Sequence, residues 1–136
     1  MPIEVLRPHE QVMPDKVDQL ERMTLRWKAY TKPILIDRKT GTILDGHHRT
    51  EVALRLELKC LPCVLVDYLD DDGIILAIWP KSGRESLEKS EVIEAALSGE
   101  LFPPKTSRHL LSDHLPPISV PLSRLVEAVT GDTEVN

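Results

Sequence analysis

Two short apolar runs, joined by a glycine turn and followed at once by a helix, constrain the fold of this sequence most. Residues 33–37, Pro-Ile-Leu-Ile-Asp, and 42–45, Thr-Ile-Leu-Asp, predict two strands, and residues 38–41, Arg-Lys-Thr-Gly, predict the hairpin turn between them. A helix is predicted to begin just after Gly46 and to run to about Leu58. Its buried face is predicted to comprise Val52, Ala53 and Leu56. A strand pair that leads directly into a helix favours a mixed fold in which sheet and helix share a core.

The rest of the chain adds further short elements. Helices are predicted over residues 14–30, 87–98 and 121–129, and strands over residues 3–7, 61–67 and 73–79. Pro14 suits the first turn of its helix, and Gly99 is placed to end the second one. The first of these helices has one apolar face, formed by Val17, Leu20, Met23 and Trp27. We therefore expect an α+β fold, a small mixed sheet with flanking helices, in a single domain over residues 1–136 with a frayed tail beyond about residue 130.

The length and net charge of the chain limit the classes of protein to which it could belong. A chain of 136 residues suits one compact domain, and its net charge of −5 argues against a surface dedicated to nucleic acid. No apolar run approaches the roughly 20 residues that cross a bilayer, and the N-terminus does not have the pattern of a signal peptide, so we expect a cytoplasmic protein without membrane partners. The two cysteines form Cys60-x-x-Cys63, but no further ligands at zinc spacing are evident, which favours cysteines buried as small apolar residues.

The segment Asp45-Gly46-His47-His48-Arg49 stands at the predicted junction of strand and helix. The first amides of a helix are unpaired and attract anions, a glycine lets the backbone approach a ligand, and a guanidinium matches phosphate oxygens. Each histidine could donate to phosphate, and Asp45 could hold Mg²⁺ or orient a hydroxyl. The alternative is a capping Asp followed by solvated side chains, but four functional side chains together favour a phosphate site. Adjacent histidines diverge on a helix, which argues against a histidine-bound metal.

A second polar motif, Lys105-Thr106-Ser107-Arg108-His109, follows Pro103-Pro104. It predicts a rigid loop that could contact the far end of a phosphate chain or a small carboxylate, although by itself it is also typical of a solvated surface loop. Glu10 is predicted to follow the first strand, where a general base could lie, and Trp79 could be either a core anchor or a stacking surface for substrate.

These motifs together resemble the free serine kinase family of the ParB/sulfiredoxin-like superfamily. The resemblance covers about residues 3–125 and rests on Pro8-His9-Glu10, residues 43–49, Val66-Asp67-Tyr68, Trp79 and residues 102–109. It implies a kinase that transfers a phosphoryl group from ATP or ADP, with Mg²⁺, to the hydroxyl of free L-serine. It further implies that Glu10 is the catalytic base, Asp45 a second catalytic acid, and residues 46–49 the phosphate cradle. Trp79 and the loop 105–109 would close over serine and the phosphates, with Thr106 and His109 contacting the substrate.

The sequence departs from the family in one place and excludes one relative. Only 25 residues separate Trp79 from Lys105, fewer than in the family, which leaves the acceptor less certain than the nucleotide. Sulfiredoxin chemistry needs a cysteine where His47 stands, and Cys60 and Cys63 are too far along the chain to replace it. A ParB-like regulatory or DNA-partition module that binds nucleotide without catalysis remains the alternative function.

Overall fold

The computed structural model describes residues 3–79, 82, 84–111 and 117–126, and within them helices and short strands alternate. The helices are α1 (Pro14–Trp27), α2 (His47–Arg55), α3 (Lys89–Ser98) and α4 (Leu122–Leu125). The strands are β1 (Ala29–Tyr30), β2 (Ile34–Asp37), β3 (Ile43–Asp45), β4 (Cys63–Val66), β5 (Ile74–Ile78), β6 (Ser107–Leu111) and β7 (Val120–Pro121). The predicted α+β class is confirmed.

The strands form three small sheets rather than one. The central sheet has the order β3-β2-β4, in which β2 pairs antiparallel with β3 and parallel with β4, so it is the predicted mixed sheet. The two others are antiparallel pairs, β5 with β6 and β1 with β7. The expected hairpin is present between β2 and β3, and Gly41 closes its turn at φ +75°.

Strand β2 separates two apolar clusters. Ile34 and Ile36 belong to one cluster and Leu35 to the other, because successive side chains of a strand point to opposite faces. All three side chains are fully buried, so β2 is covered on both sides. The buried face predicted for α2 is confirmed for Val52 and Ala53, whereas Leu56 is half-buried.

The helix ends follow from local backbone rules. Helix α1 ends at Trp27, earlier than predicted, because Lys28 adopts a left-handed conformation and its amide donates to the carbonyl of Thr24. Helix α3 begins with a capping box between Glu88 and Glu91 and ends at Gly99, as predicted. Helix α2 ends at Arg55, three residues before the predicted end.

Two predicted elements are wrong in type or extent. Residues 3–7 are not a strand: Ile3–Val5 form a 3-10 turn, whose period of three buries both Ile3 and Leu6, and only Arg7 bridges to Thr42. The last helix is shorter than predicted, because Val120–Pro121 pair with β1 before α4 begins. Residues 127–129 of that predicted helix, and the tail, lie outside the described residues.

The cysteines take the structural role expected of them. Cys60 is buried in the cluster around Ile34, Cys63 lies half-buried at the start of β4, and no disulfide joins them. Burial raises the pKa of the Cys63 thiol to about 11, which keeps it protonated and unreactive. In the part of the chain that the structure describes, every helix is too short or too polar to cross a bilayer.

Candidate active site

A cavity of about 560 Å³ brings the two polar motifs together. Helix α1 forms one wall, the start of α2 forms the floor, and the beginning of β6 forms the opposite wall. The predicted site residues that line it are Glu10, Asp45, Gly46, His47, His48, Arg49, Trp79, Lys105, Ser107, Arg108 and His109. Residues nearly 100 positions apart in sequence are therefore neighbours in the fold.

Gly46 sets the geometry at the start of α2. Its φ of +113° is a conformation that other residues rarely adopt, and a Cβ there would lie 2.7 Å from Cδ1 of Ile34 and 3.2 Å from Nη2 of Arg49. Helix α2 therefore begins directly after β3, and the residues of its first turn line the cavity. Since no side chain caps these amides, they can bind an anion.

Arg49 lies in the first turn of α2, with its side chain mostly buried against the cavity. Its Nη2 is 3.4 Å from Oδ2 of Asp45, a long contact, while Asp45 itself is exposed. The Nε atom of Arg49 is fully buried and has no hydrogen-bond partner among the described residues. A buried donor without an acceptor costs free energy. This cost is consistent with a guanidinium whose role is to bind an anionic ligand.

The histidines of the first motif each accept a backbone hydrogen bond. The amide of His9 donates to Nε2 of His47 at 3.1 Å, and the amide of Met13 donates to Nε2 of His48 at 3.0 Å. A neutral imidazole that accepts at Nε2 carries its proton on Nδ1, so Nδ1 is the donor that each ring could offer to phosphate. Burial lowers the pKa of both side chains, His47 most strongly, which makes them neutral donors.

The second motif is a turn that leads into a strand, not the predicted loop. Lys105 has φ +60° in the turn, and Ser107, Arg108 and His109 are the first residues of β6, paired with β5. The prediction of a loop through residue 109 is wrong because the register with Leu76 and Ile78 supplies the partner strand. A strand holds these side chains more rigidly than a loop would.

Glu10 is held against this turn by several hydrogen bonds. Its Oε1 accepts from the amide of Thr106 at 3.1 Å, the amide of Ser107 at 2.8 Å and, at 3.0 Å, is in contact with the Ser107 hydroxyl. Among the described residues, its Oε2 accepts a hydrogen bond only from the amide of Lys105, at 3.3 Å. The backbone around Glu10 also pairs with Phe102, which aligns the two segments. The geometry thus fixes a carboxylate at the edge of the cavity.

Two residues predicted to contact the substrate have other partners. Thr106 is buried outside the cavity lining, and its hydroxyl donates to the carbonyl of Pro103 at 2.7 Å. His109 lines the cavity, but its Nε2 lies 2.8 Å from the Tyr68 hydroxyl and the carbonyl of Leu44 is a second partner. Both ring nitrogens of His109 are therefore engaged within the protein. These contacts order the turn and the strand, and the substrate role predicted for Thr106 and His109 stays a prediction.

Trp79 contacts the second motif through both its indole N–H and its ring. Its indole N–H donates to the carbonyl of Ser107 at 3.1 Å, and the cations of Lys105 and Arg108 lie 4.7 and 5.0 Å from the ring centroid. These contacts position both cations beside the cavity. Although Trp79 lines the cavity, stacking on a substrate would have to compete with these cations.

No family model matches the chain, but curated proteins and solved structures do. An ADP-dependent L-serine kinase from Thermococcus kodakarensis is 27% identical over 117 residues, covering 73% of this chain and 48% of that protein. An ATP-dependent L-serine kinase from Staphylothermus marinus is 27% identical over 81 residues, covering 57% of this chain and 32% of that protein. A ParB-like protein from Sulfolobus acidocaldarius is 40% identical over 63 residues, covering 46% of this chain and 31% of that protein.

The solved structures decide the fold. A free serine kinase variant in complex with ADP superposes with a TM-score of 0.84 over 92% of each chain, at 18% identity. The chain resembles the free serine kinases in sequence and has their fold. SbnI with a C-terminal truncation, from Staphylococcus aureus, has the same fold at a TM-score of 0.74 and 14% identity, over 99% of this chain and 90% of that one.

The resemblance to free serine kinases predicted from the motifs is confirmed. The chain spans about half of the first curated kinase and about a third of the other two curated relatives. The ADP complex belongs to the solved free serine kinase variant, and in this chain the corresponding fold places a cavity beside both motifs.

The structure adds cavity residues that the sequence reasoning missed. Helix α1 contributes Leu20, Met23, Thr24 and Trp27 to the wall, and three of these belong to its predicted apolar face. Trp27 is 47% exposed, so this apolar face covers a cavity rather than packing into the interior. Lys16, in the first turn of α1, reaches the amine of Lys105 and lowers its pKa. In the sequence, the available signal was Lys16 beside an amphipathic face that carries Met23 and Trp27. Both of these large side chains are exposed in the structure.

Among the described residues no group of three or more His, Cys, Asp or Glu side chains is arranged as a metal site. Mg²⁺ is often held by one or two carboxylates together with phosphate oxygens and waters. The exposed carboxylate of Asp45, beside the start of α2, fits that limited role.

Proposed function

We propose that this chain is a nucleotide-dependent kinase that phosphorylates the hydroxyl of free L-serine, with ATP or ADP as the donor. The single observation that carries the proposal is the position of Glu10, a carboxylate fixed at the edge of a cavity whose floor is an uncapped helix start. Phosphoryl transfer needs alignment of a hydroxyl and stabilisation of phosphate charge more than covalent help from the protein.

The cavity supplies the positive charge that phosphates require. Its lining contains five cations, Lys16, Lys32, Arg49, Lys105 and Arg108, against two acids, Glu10 and Asp45. The chain as a whole carries a net charge of −5, so the positive charge is local. We assign the phosphates to the first amides of α2, to Arg49 and to the Nδ1 donors of His47 and His48, with Lys105 and Arg108 on the opposite wall.

Glu10 has one oxygen suited to act as a base. Oε1 is surrounded by the amides of Thr106 and Ser107 and by a hydroxyl, whereas Oε2 has a single long contact. The acceptor hydroxyl therefore approaches Oε2. As its oxygen bonds to the terminal phosphorus and the bond to the departing nucleotide breaks, its proton passes to Oε2.

Asp45 is proposed to hold Mg²⁺ together with the phosphate oxygens. The ion would neutralise part of the charge on the phosphate chain. Without it, Asp45 would repel the same phosphates, and its long contact with Arg49 would offset part of that repulsion. We also infer that the protein works in the cytoplasm, where nucleotides and free serine are available.

The direct test is to incubate the purified protein with Mg²⁺ and L-serine, with either ATP or ADP, and to detect O-phosphoserine by mass spectrometry. We expect product with at least one donor and none from the Glu10→Gln variant. A parallel series with threonine, homoserine and ethanolamine defines the acceptor. If no acceptor is phosphorylated with either donor, the proposed activity is wrong.

The second candidate function is a ParB-like regulatory or DNA-partition module that binds nucleotide without phosphorylating a small molecule. It is favoured by the 40% identity to the ParB-like protein over 63 residues. Calorimetry with ADP, ATP and CTP separates the two functions. Tight binding without any phosphorylated product would support the module, whereas turnover would exclude it as the main role.

A further inference from the structure

His9, Ser107 and Glu10 form a continuous series of hydrogen bonds that leads from the interior to the cavity wall. Nδ1 of His9 lies 2.7 Å from the carbonyl oxygen of Ile43, and Nε2 of His9 lies 2.9 Å from Oγ of Ser107. The same Oγ is 3.0 Å from Oε1 of Glu10. His9 is fully buried, so solvent does not reach its Nε2, whereas Ser107 and Glu10 line the cavity.

The hydrogen-bonded series from Ile43 through His9 and Ser107 to Glu10 has one hydrogen fewer than it has contacts. A carbonyl only accepts, so Nδ1 of His9 carries the proton of the neutral ring, and Nε2 is left as an acceptor. Burial lowers the pKa of His9 to about 4, so the ring is neutral near pH 7. The Ser107 hydroxyl has one hydrogen but two acceptors, Nε2 of His9 and Oε1 of Glu10. At any moment, one of these two contacts lacks a hydrogen.

We propose that the Ser107 hydroxyl is a two-position switch that donates to Glu10 while its carboxylate is charged and turns to Nε2 of His9 once Glu10 is protonated. This inference rests on the proposed function, in which Oε2 of Glu10 takes the proton of the acceptor hydroxyl. No proton is transferred to Ser107 or His9, because only the existing hydroxyl hydrogen changes its acceptor.

The switch makes Glu10 a better base. A charged carboxylate holds a hydroxyl more strongly than a neutral carboxyl does, so proton uptake weakens the bond from Ser107. Nε2 of His9 offers a replacement acceptor and offsets that loss. His9 and Ser107 are therefore positioning residues that act through Glu10, and neither has to touch the substrate.

Other titratable groups around the network also influence the pH dependence of Glu10. His47 on α2 and His109 on β6 lie against His9, with ring centroids 4.5 and 5.8 Å away, and burial lowers the pKa of both. Besides these histidines, the cavity that Glu10 lines contains Lys16, Lys32, Asp45, His48, Arg49, Lys105 and Arg108. The variants below leave these groups unchanged, so shifts between variants report the switch.

The test compares His9→Asn, Ser107→Ala and the double variant by the pH dependence of kcat/KM for serine. The amide nitrogen of Asn can replace Nδ1 and still donate to Ile43, but Asn offers Ser107 no acceptor. His9→Asn should move the acidic limb to lower pH by roughly half a unit and lower the plateau, since the hydroxyl stays on Glu10. Ser107→Ala should move the limb to higher pH by about one unit, because the carboxylate loses a donor. The double variant should match Ser107→Ala.

A readout without turnover keeps the switch distinguishable from the kinase proposal. The carboxyl carbon of Glu10 can be titrated by NMR in the ligand-free protein, where the same opposite shifts are expected. Glu10→Gln imitates the protonated carboxyl, so the Nε2 nitrogen resonance of His9 should move upfield as it gains a hydrogen bond, even if His9→Asn does not fold. Shifts in the same direction, an additive double variant or an unmoved His9 resonance would overturn the switch. Opposite shifts without phosphoserine formation would retain the switch and reject the kinase.

Discussion

Arg49 lines the cavity in the first turn of α2, and its buried Nε has no hydrogen-bond partner among the described residues. Since a guanidinium donates to phosphate oxygens, Arg49→Ala should weaken ADP binding by about 1.5–3 kcal/mol, the range for a hydrogen bond to a charged group. Calorimetry with ADP measures the loss. Arg55→Ala is the matched control on the same helix, because Arg55 pairs with Asp18 and Glu21 and does not line the cavity. Equal losses in both variants would remove Arg49 from the phosphate site.

Gly46 is required by conformation and by space. Gly46→Ala should lower the free energy of unfolding by about 1–3 kcal/mol, because the new methyl group meets Ile34 in an already unfavourable backbone conformation. Gly99→Ala is the control: its φ is also positive, at +80°, but nothing lies within 4 Å of the added Cβ. Denaturant unfolding should show a larger loss at Gly46. A smaller loss there than at Gly99 would mean that the α2 junction relaxes easily.

At the scale of elements, Glu10 joins the segment after the first turn to the start of β6. Glu10→Gln keeps an oxygen for the amides of Thr106 and Ser107, so it should abolish turnover and leave nucleotide affinity within a few-fold. Glu10→Ala releases the turn and should also weaken ADP binding by roughly tenfold, since Lys105 and Arg108 lose their fixed position. Calorimetry and phosphoserine detection separate the two effects. If Glu10→Ala binds ADP as tightly as Glu10→Gln, the carboxylate does not order the turn.

Helix α1 shows why an element can be predicted while its environment is not. The spacing of Val17, Leu20, Met23 and Trp27 identified the helix and its apolar face. Only Val17 is fully buried, because the face extends past the core and over the cavity. The spacing of apolar residues shows which side of the helix is apolar. Which residues cover that side depends on elements that are distant in the sequence.

At the scale of the whole molecule, nucleotide affinity should depend on ionic strength despite the net negative charge. The cations of the cavity attract phosphates over distances that salt screens, so the affinity for ADP should fall as sodium chloride rises from 0.05 to about 0.5 M. Lys16→Ala should reduce both the affinity and its salt dependence. Lys39→Ala is the control, since Lys39 is exposed and pairs with Asp70 outside the cavity. An affinity unaffected by salt would contradict an electrostatic role for these cations.

The stability of the molecule should fall in acid because of its buried histidines. Burial lowers the pKa of His9 to about 4 and that of His109 to about 3, below the ordinary value of 6.5. The unfolded chain therefore binds protons that the folded chain excludes, so unfolding becomes easier as the pH falls from about 6.5 towards 4. Thermal melting across this range should show a steady decrease in Tm. His9→Asn should show a shallower decrease, and an equal slope would mean that His9 takes up its proton as readily in the folded chain as in the unfolded one.

The sequence by itself determined the strand–turn–strand–helix unit, the start of the helix just after Gly46 and the resemblance to free serine kinases, because these depend on periodicity, turn chemistry and local spacing. The single-domain prediction remains a prediction. Only the tertiary structure decided that Ser107 to His109 form a strand, that Lys16 reaches Lys105 and that His9 lies against Glu10 and Ser107. These contacts join residues up to 98 positions apart. Their energy comes from packing and buried hydrogen bonds between distant segments, which no local pattern encodes.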